Sequence, residues 1–272
     1  MPTPQRALPT VAEAVAASIA VGRRLGLPVA DPDVVADGYS VRVRLGPALT
    51  RVPTRASILR GEPMPWLERE LAAVAWLAGA GAPVVPAWRD PGPFLVDGLA
   101  VSVWTWTEHT AGEIDQAMFG GMLRELHAAL DGYRGDLPVL VGPITDATAA
   151  LSLSDDPVLH EAAAELLPLA ATWPRRPLHG DAHTGNVLLT PAGPRWTDFE
   201  DVSVGPVEWD LASATITDEA VAAYPGPIDR TRLADCRDLR RLQILAGVLT
   251  DDIQDSKLYD GLVAALRRRR AG

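Results

Sequence analysis

The hydrophobic pattern of this chain changes period part-way along, and that change limits the folds open to it. Val41, Val43 and Leu45 alternate with Arg42 and Arg44, the two-residue period of a half-buried strand. Gly46-Pro47 supplies a turn, and Ala48 to Val52 reads as the partner strand. Further strands are expected over residues 83–106, clearest at Ala100-Val101-Ser102-Val103-Trp104. After Thr107 the spacing becomes helical: Met118, Leu123, Leu126 and Leu130, then residues 158–171 and 233–249. One helix precedes the early strands and another interrupts them. One spans residues 8–25 on Val11, Val15, Ile19 and Leu25, broken by Pro28 and Asp31-Pro32-Asp33; the other opens at Pro65, runs on Leu67, Leu71, Val74 and Ala78, and ends at Gly79 and Gly81. Strands early and helices late predict an α+β chain of two lobes, with the boundary near residues 104–112. Residues 1–104 would form a small antiparallel-sheet lobe with one main helix, and residues 105–272 a larger, mostly helical lobe.

Composition removes several functional classes. An apolar fraction of 47% over 272 residues supports a sizeable core and excludes a disordered chain. The net charge of −10 argues against a nucleic-acid binder, which needs clustered Lys and Arg, and suits neutral or cationic small molecules better. Arg267 to Arg270 reads as the solvated, dipole-favoured end of a helix. The single cysteine, Cys236, rules out an intrachain disulfide and is expected to be a buried thiol. No apolar run approaches the roughly 18 residues of a membrane span, and Met1 to Thr10 lacks the pattern of a secretory signal. The expected location is therefore the cytoplasm. Lys257 is the only lysine.

The chemistry-bearing stretch is His179-Gly180-Asp181-Ala182-His183-Thr184-Gly185-Asn186-Val187-Leu188-Leu189, followed by Trp196-Thr197-Asp198-Phe199-Glu200. Phosphoryl transfer from a nucleotide needs a carboxylate to orient or accept the acceptor's hydroxyl proton, and Mg²⁺ to offset phosphate charge. Mg²⁺ prefers hard oxygen ligands and takes few from the protein. An Asp, an Asn five residues on and a second Asp beyond a hairpin supply that set. Val187-Leu188-Leu189 reads as a short strand, Pro191 to Pro194 as a turn, and Arg195-Trp196-Thr197 as the returning strand that brings Asp198 beside Asn186.

The pattern His-Gly-Asp-x-x-x-x-Asn-Val-Leu followed by Asp-Phe-Glu resembles the aminoglycoside phosphotransferases and their antibiotic, choline and sugar kinase relatives, which share the protein-kinase fold. Leu123-Arg124-Glu125-Leu126-His127 and Val207-Glu208-Trp209-Asp210-Leu211-Ala212 resemble further family segments, so the likeness spans roughly residues 37–212. The resemblance implies Asp181 as catalytic base, Asn186 and Asp198 as Mg²⁺ ligands, His179 as a brace for the loop and Asp210 as a structural residue. It implies ATP (or GTP) as co-substrate and a small-molecule hydroxyl acceptor, an antibiotic or a metabolite. Family members place a lysine on the third strand, held by a glutamate on the following helix. Arg51 stands at the strand position here, with Glu70 as the helix acid. Asp37-Gly38-Tyr39-Ser40 stands where a glycine-rich loop would be, with Gly38 backbone facing phosphate, and Val103-Trp104-Thr105-Trp106 stands at the adenine hinge.

Plainer readings accompany each residue. Asp181 and Asn186 are also turn-forming types, Arg51 and Glu70 could be a surface ion pair, and Trp104 and Trp106 could serve packing alone. Asp251, Asp252 and Asp255 either line a cationic substrate site or form a solvated face. Two other functions fit parts of the pattern. Arginine in place of lysine suits a nucleotide-binding protein that has lost catalysis. His179, Asp181 and His183 resemble the His-x-Asp ligands of a metal-dependent oxygenase.

Overall fold

A computed structural model describes residues 8–55, 61–250 and 256–270. The chain forms two compact units. One runs up to Thr110 and takes in Thr190–Arg195; the other comprises Ala111–Leu189 and the chain from Trp196 onward.

The first unit opens with α1 (Val11–Leu25), started by a reciprocal capping box in which Thr10 accepts from Glu13 N–H and Glu13 from Thr10 N–H. Ala14, Ala17 and Val21 form its buried face. The helix ends at Leu25, where the sequence placed its end. Gly26 takes the left-handed conformation, φ 70°, and closes the C-terminus. Five strands follow: β1 (Asp33–Asp37), β2 (Ser40–Leu45), β3 (Ala48–Pro53), β4 (Phe94–Val96) and β5 (Leu99–Thr105), in the sheet order β1-β2-β3-β5-β4. Every pairing is antiparallel, and Val41, Val43 and Leu45 lie opposite Val52, Thr50 and Ala48. The alternation seen in the sequence is therefore the core face of β2, packed with α1 residues in one apolar cluster. Strand β1 was not expected; its Val34 and Val35 are both 40% exposed, so it carries no alternating signal.

Between β3 and β4 lies α2 (Met64–Gly79), which has proline in its first turn as expected. Its core face is Trp66, Leu67, Glu70, Leu71, Ala73, Val74 and Leu77. Ala78, expected on that face, is exposed, because the true stripe ends one residue earlier at Leu77.

The second unit is largely helical: α3 (Gln116–Leu130), α4 (Val141–Leu153), α5 (Pro157–Thr172), α6 (Val207–Asp210), α7 (Asp218–Ala223), α8 (Arg230–Thr250) and α9 (Ser256–Arg270). Short strands β6 (Arg176–Leu178) and β9 (Ser203–Gly205) pair with each other, as do β7 (Val187–Thr190) and β8 (Gly193–Trp196). Asp115 and Asp156 cap α3 and α5 through their side chains. Met118, expected in the α3 stripe, is 51% exposed, and the neighbouring Phe119 is buried instead. The buried residues of α8 are Leu233, Cys236, Asp238, Leu239, Arg240, Leu242, Leu245 and Ala246. Cys236 is buried, and burial pushes its thiol well above the usual range, so it is an inert core residue. Asp251, Asp252 and Asp255 lie outside the described residues. Among the described residues no helix is long and apolar enough to cross a membrane.

Candidate active site

The loop between β6 and β7 carries Asp181, and its shape is set from below by a buried carboxylate. Asp210, at the end of α6, accepts from His179 N–H at 2.8 Å and from Gly180 N–H at 2.9 Å. Two backbone donors that lie outside regular structure are thereby satisfied in the interior. His127 on α3 donates its Nε2–H to Asp210 at 2.9 Å, and its Nδ1 meets the Tyr224 hydroxyl at 2.9 Å. Burial alone would raise the Asp210 carboxyl. The hydrogen bond and charge of His127, with His179 and Arg240 nearby, hold it below the usual carboxylate range. Gly180 adopts φ +88°, and a Cβ there would run into the carbonyl oxygen of Asp201, so the turn requires glycine. Trp209 caps it, donating from Nε1 to Gly180 O at 2.6 Å.

His179 braces both ends of the constellation. Its Nε2–H donates to Thr197 O at 3.0 Å, and its Nδ1 accepts from Asp181 N–H. The ring lies against Phe199 at 4.3 Å between centroids and Trp196 at 5.4 Å. Burial lowers its pKa, which favours the neutral ring. Both nitrogens being used, the ring has none left for a metal. The oxygenase arrangement therefore lacks its first ligand.

The β7–β8 hairpin forms where the sequence placed it. Thr197 N–H donates to Asn186 O at 3.0 Å, which fixes the next residue, Asp198, at the hairpin's end. Asp198 has φ 65°, a left-handed conformation that costs a non-glycine residue about 1–3 kcal/mol and is concentrated at functional sites. Asn186 ends a 3₁₀ turn, Thr184–Asn186, and is 7% exposed. Its Nδ2 donates to Asp181 O at 2.9 Å and lies 3.4 Å from Asp181 Oδ2. With the amide nitrogen committed, the carbonyl Oδ1 is the atom left for a cation. That oxygen and the Asp198 carboxylate are hard donors of the kind Mg²⁺ takes, so these residues fit the ion. Among the described residues no group of three or more His, Cys, Asp or Glu is placed to hold a metal.

The Asp181 side chain is 34% exposed. Its Oδ1 accepts from Arg240 on α8 at 2.8 Å, while Oδ2 faces His183 Nε2 at 3.5 Å. His183 Nδ1 accepts from Gly185 N–H, so the ring turns its other nitrogen toward the aspartate. Desolvation would raise the Asp181 carboxyl, but the facing His183 ring and the Arg240 charge win and hold it well below the usual range. The sequence reading did not single out Arg240. The available signal was a charged side chain on the apolar stripe Leu233, Cys236, Leu239, Leu242 of α8.

The first unit holds the other expected residues. Arg51 on β3 and Glu70 on α2 meet at 2.9 Å, with side chains 4% and 0% exposed, so the surface-pair reading gives way to a buried pair. The Trp66 ring lies 5.7 Å from the guanidinium. Gly38 sits in the β1–β2 connection, where its carbonyl accepts from the Thr54 hydroxyl. Trp104 is buried, and its indole N–H donates to Ser102 Oγ at 3.0 Å. Trp106 donates its indole N–H to Glu108 and lies under the Arg44 guanidinium at 4.2 Å. The backbone N–H groups of Thr105 and Trp106 bond to Pro86 O and Pro47 O. The hinge stretch thus spends these donors within its own unit.

Three solved structures share this fold. A choline/ethanolamine kinase family protein from Mesorhizobium loti is 19% identical, covering 95% of this chain and 94% of its own, with a TM-score of 0.64. The amicoumacin kinase hAmiN, in complex with AMP-PNP, Ca²⁺ and Ami, is 12% identical, covers 92% of each chain and has a TM-score of 0.67. Spectinomycin phosphotransferase APH(9)-Ia, in complex with ADP and spectinomycin, is 12% identical, covers 89% of this chain and 90% of its own, and has a TM-score of 0.60. No curated protein matches by sequence. The family model for the phosphotransferase enzyme family, APH, matches residues 35–245. The expected two-lobed, kinase-like α+β fold is therefore the fold found. On that match over most of its length the chain belongs to the phosphotransferase enzyme family, as a phosphotransferase with an alcohol group as acceptor.

Proposed function

We propose that the protein is a cytoplasmic kinase that transfers the γ-phosphoryl group of ATP (or GTP) to a hydroxyl of an antibiotic or other small metabolite, with Asp181 as the base. The observation that carries this reading is the setting of Asp181: a part-exposed carboxylate that accepts from Arg240, faces His183, and has its backbone carbonyl held by Asn186. A carboxylate so held can accept a hydrogen bond from an acceptor hydroxyl, orient its oxygen, and take the proton as the new P–O bond forms. Asn186 Oδ1 and the Asp198 carboxylate would hold Mg²⁺, which when bound offsets phosphate charge.

In the first unit, Arg51 takes the role of the strand lysine. Its guanidinium, anchored by Glu70, can offer charge-assisted hydrogen bonds to the nucleotide's α- and β-phosphates. Gly38 backbone completes the phosphate contacts, and the Trp104–Trp106 stretch lies on the adenine side. AMP-PNP and ADP in two of the similar structures support a nucleotide co-substrate. The differing acceptors named for those proteins agree with a fold that leaves the acceptor open. The test is a nucleotide-consumption screen against hydroxylated antibiotics and metabolites, cationic ones included, with and without Mg²⁺. Acceptor-dependent, Mg²⁺-dependent ADP formation supports the reading; nucleotide binding without turnover across the panel would favour the catalytically impaired alternative.

A further inference from the structure

Arg240 and Asp238 are the two charged residues among the buried positions of α8, and the Arg240 side chain is 7% exposed. A guanidinium taken so far from water is costly unless its hydrogen bonds are well placed. Here two of them converge on one loop, while the buried Nε has no hydrogen-bond partner among the described residues. One terminal nitrogen donates to Asp181 Oδ1 at 2.8 Å, and the other to Gly180 O at 3.3 Å. The first also reaches Gln243 Oε1 at 3.3 Å, and Gln243 Nε2 in turn donates to Asp146 Oδ2 on α4 at 3.1 Å. The guanidinium carbon lies 4.2 Å from the ring centre of Trp209, whose indole N–H holds the same Gly180 carbonyl. Arg240 therefore cannot swing without leaving four partners at once: Asp181, Gly180, Gln243 and Trp209.

The two oxygens of Asp181 are not equivalent under this restraint. Oδ1 is taken by a short, charge-assisted bond. Oδ2 has only long approaches, 3.4 Å from Asn186 and 3.5 Å from His183. The geometry points to Arg240 as a positioning residue for phosphoryl transfer: seated on Trp209 and keyed to Gly180 O, it occupies Asp181 Oδ1 and leaves Oδ2 as the oxygen that receives the acceptor hydroxyl. This inference rests on Asp181 being the base. It adds a residue on α8, 59 positions away in sequence, that acts only through that carboxylate. Lysine could keep the charge at Oδ1 but not the planar fork that reaches Gly180 O as well.

A double-mutant cycle tests it, with Mg·ATP as the only ligand and water as the acceptor, read as ADP release by the full chain. Arg240→Met is expected to lower kcat about 10²-fold, the scale of a misplaced catalytic group, with KM for ATP unchanged. Arg240→Lys should recover part of the loss. In an Asp181→Asn background, Arg240→Met should cost nothing further, since a residue acting through Asp181 has nothing left to position. Thermal melts of every variant confirm a folded chain, and Arg240→Lys carries the test if Arg240→Met fails to fold. An equal loss in both backgrounds, a loss confined to KM, or full activity in Arg240→Met would overturn the inference while leaving the base assignment standing. Wild-type hydrolysis by Asp181→Asn alone would instead remove the base assignment, and the role of Arg240 with it.

Discussion

Asp181, Asp210 and His127 are three buried or half-buried polar residues with separable jobs, and substitution should separate them. Asp181→Asn keeps a side chain able to bond Arg240 poorly but cannot accept a proton. It should lower acceptor-dependent turnover about 10²–10⁴-fold with nucleotide affinity retained; steady-state kinetics beside nucleotide titration checks both halves. Asp210 touches no reacting group, so its loss should appear in stability. Removing one partner from such a buried network costs about 3–5 kcal/mol, and denaturant unfolding of Asp210→Asn should show a loss on that scale. The pH dependence follows from its depressed carboxyl. Its stabilisation is fully present above the ordinary carboxylate pKa of about 3.9 and is lost as pH falls through the lower folded value. Melting temperatures from neutral to acid pH should fall more steeply for the wild type than for Asp210→Asn. At this scale the sequence was partly readable. Asp181, Asn186 and Asp198 stand out because short spacing and one hairpin bring them together. Arg240 does not, because its partner lies 59 residues away and only the packing of α8 defines the pair.

Among the elements, β3 and α2 carry the clearest departure from family expectation. The Arg51–Glu70 pair crosses 19 residues and is buried on both sides. If it holds phosphate, Arg51→Met should weaken ATP and ADP binding about 10–150-fold, the equivalent of roughly 1.5–3 kcal/mol for a charge-assisted bond, and leave adenosine binding unchanged. Arg51→Lys should recover part, and Glu70→Gln should give a milder defect of the same kind. Calorimetry with the three ligands checks this, and equal losses for all three would point to misfolding. Strands β2, β3 and β5 were legible because one face of each is buried and the period of two shows it. Strand β1 was not, since it is an exposed edge. The helix α4 had no counterpart in the sequence reading; its Pro143 stands in the first helical turn, where a missing N–H has no intrahelical partner to lose. Met118 and Ala78 were misplaced by one residue on otherwise correct helices, a shift of about 100° that turns a side chain from core to solvent.

For the molecule as a whole, two compact units divide after Thr110, and the tip of the β7–β8 hairpin, Thr190–Arg195, belongs with the first of them. Arg195 there donates to Val84 O at 3.2 Å. Pattern reading finds where strands give way to helices, but it cannot foresee that a hairpin late in the sequence returns six residues to the earlier unit, because that depends on a tertiary contact. The metal assignment belongs to this scale, since it joins a turn, a hairpin and a nucleotide. Asn186→Ala and Asp198→Ala should each weaken Mg²⁺-dependent nucleotide binding, with Asp198→Ala the more severe because it removes a charge; titrations of nucleotide with and without Mg²⁺ check the order. The most direct test of the central claim is ADP formation by the wild type and by Asp181→Asn, measured side by side with Mg·ATP and a panel of hydroxylated antibiotics and metabolites. The expected result is acceptor-dependent turnover in the wild type that disappears without Mg²⁺ and falls about 10²–10⁴-fold in the variant; equal turnover by the two proteins, or turnover indifferent to Mg²⁺, would contradict it.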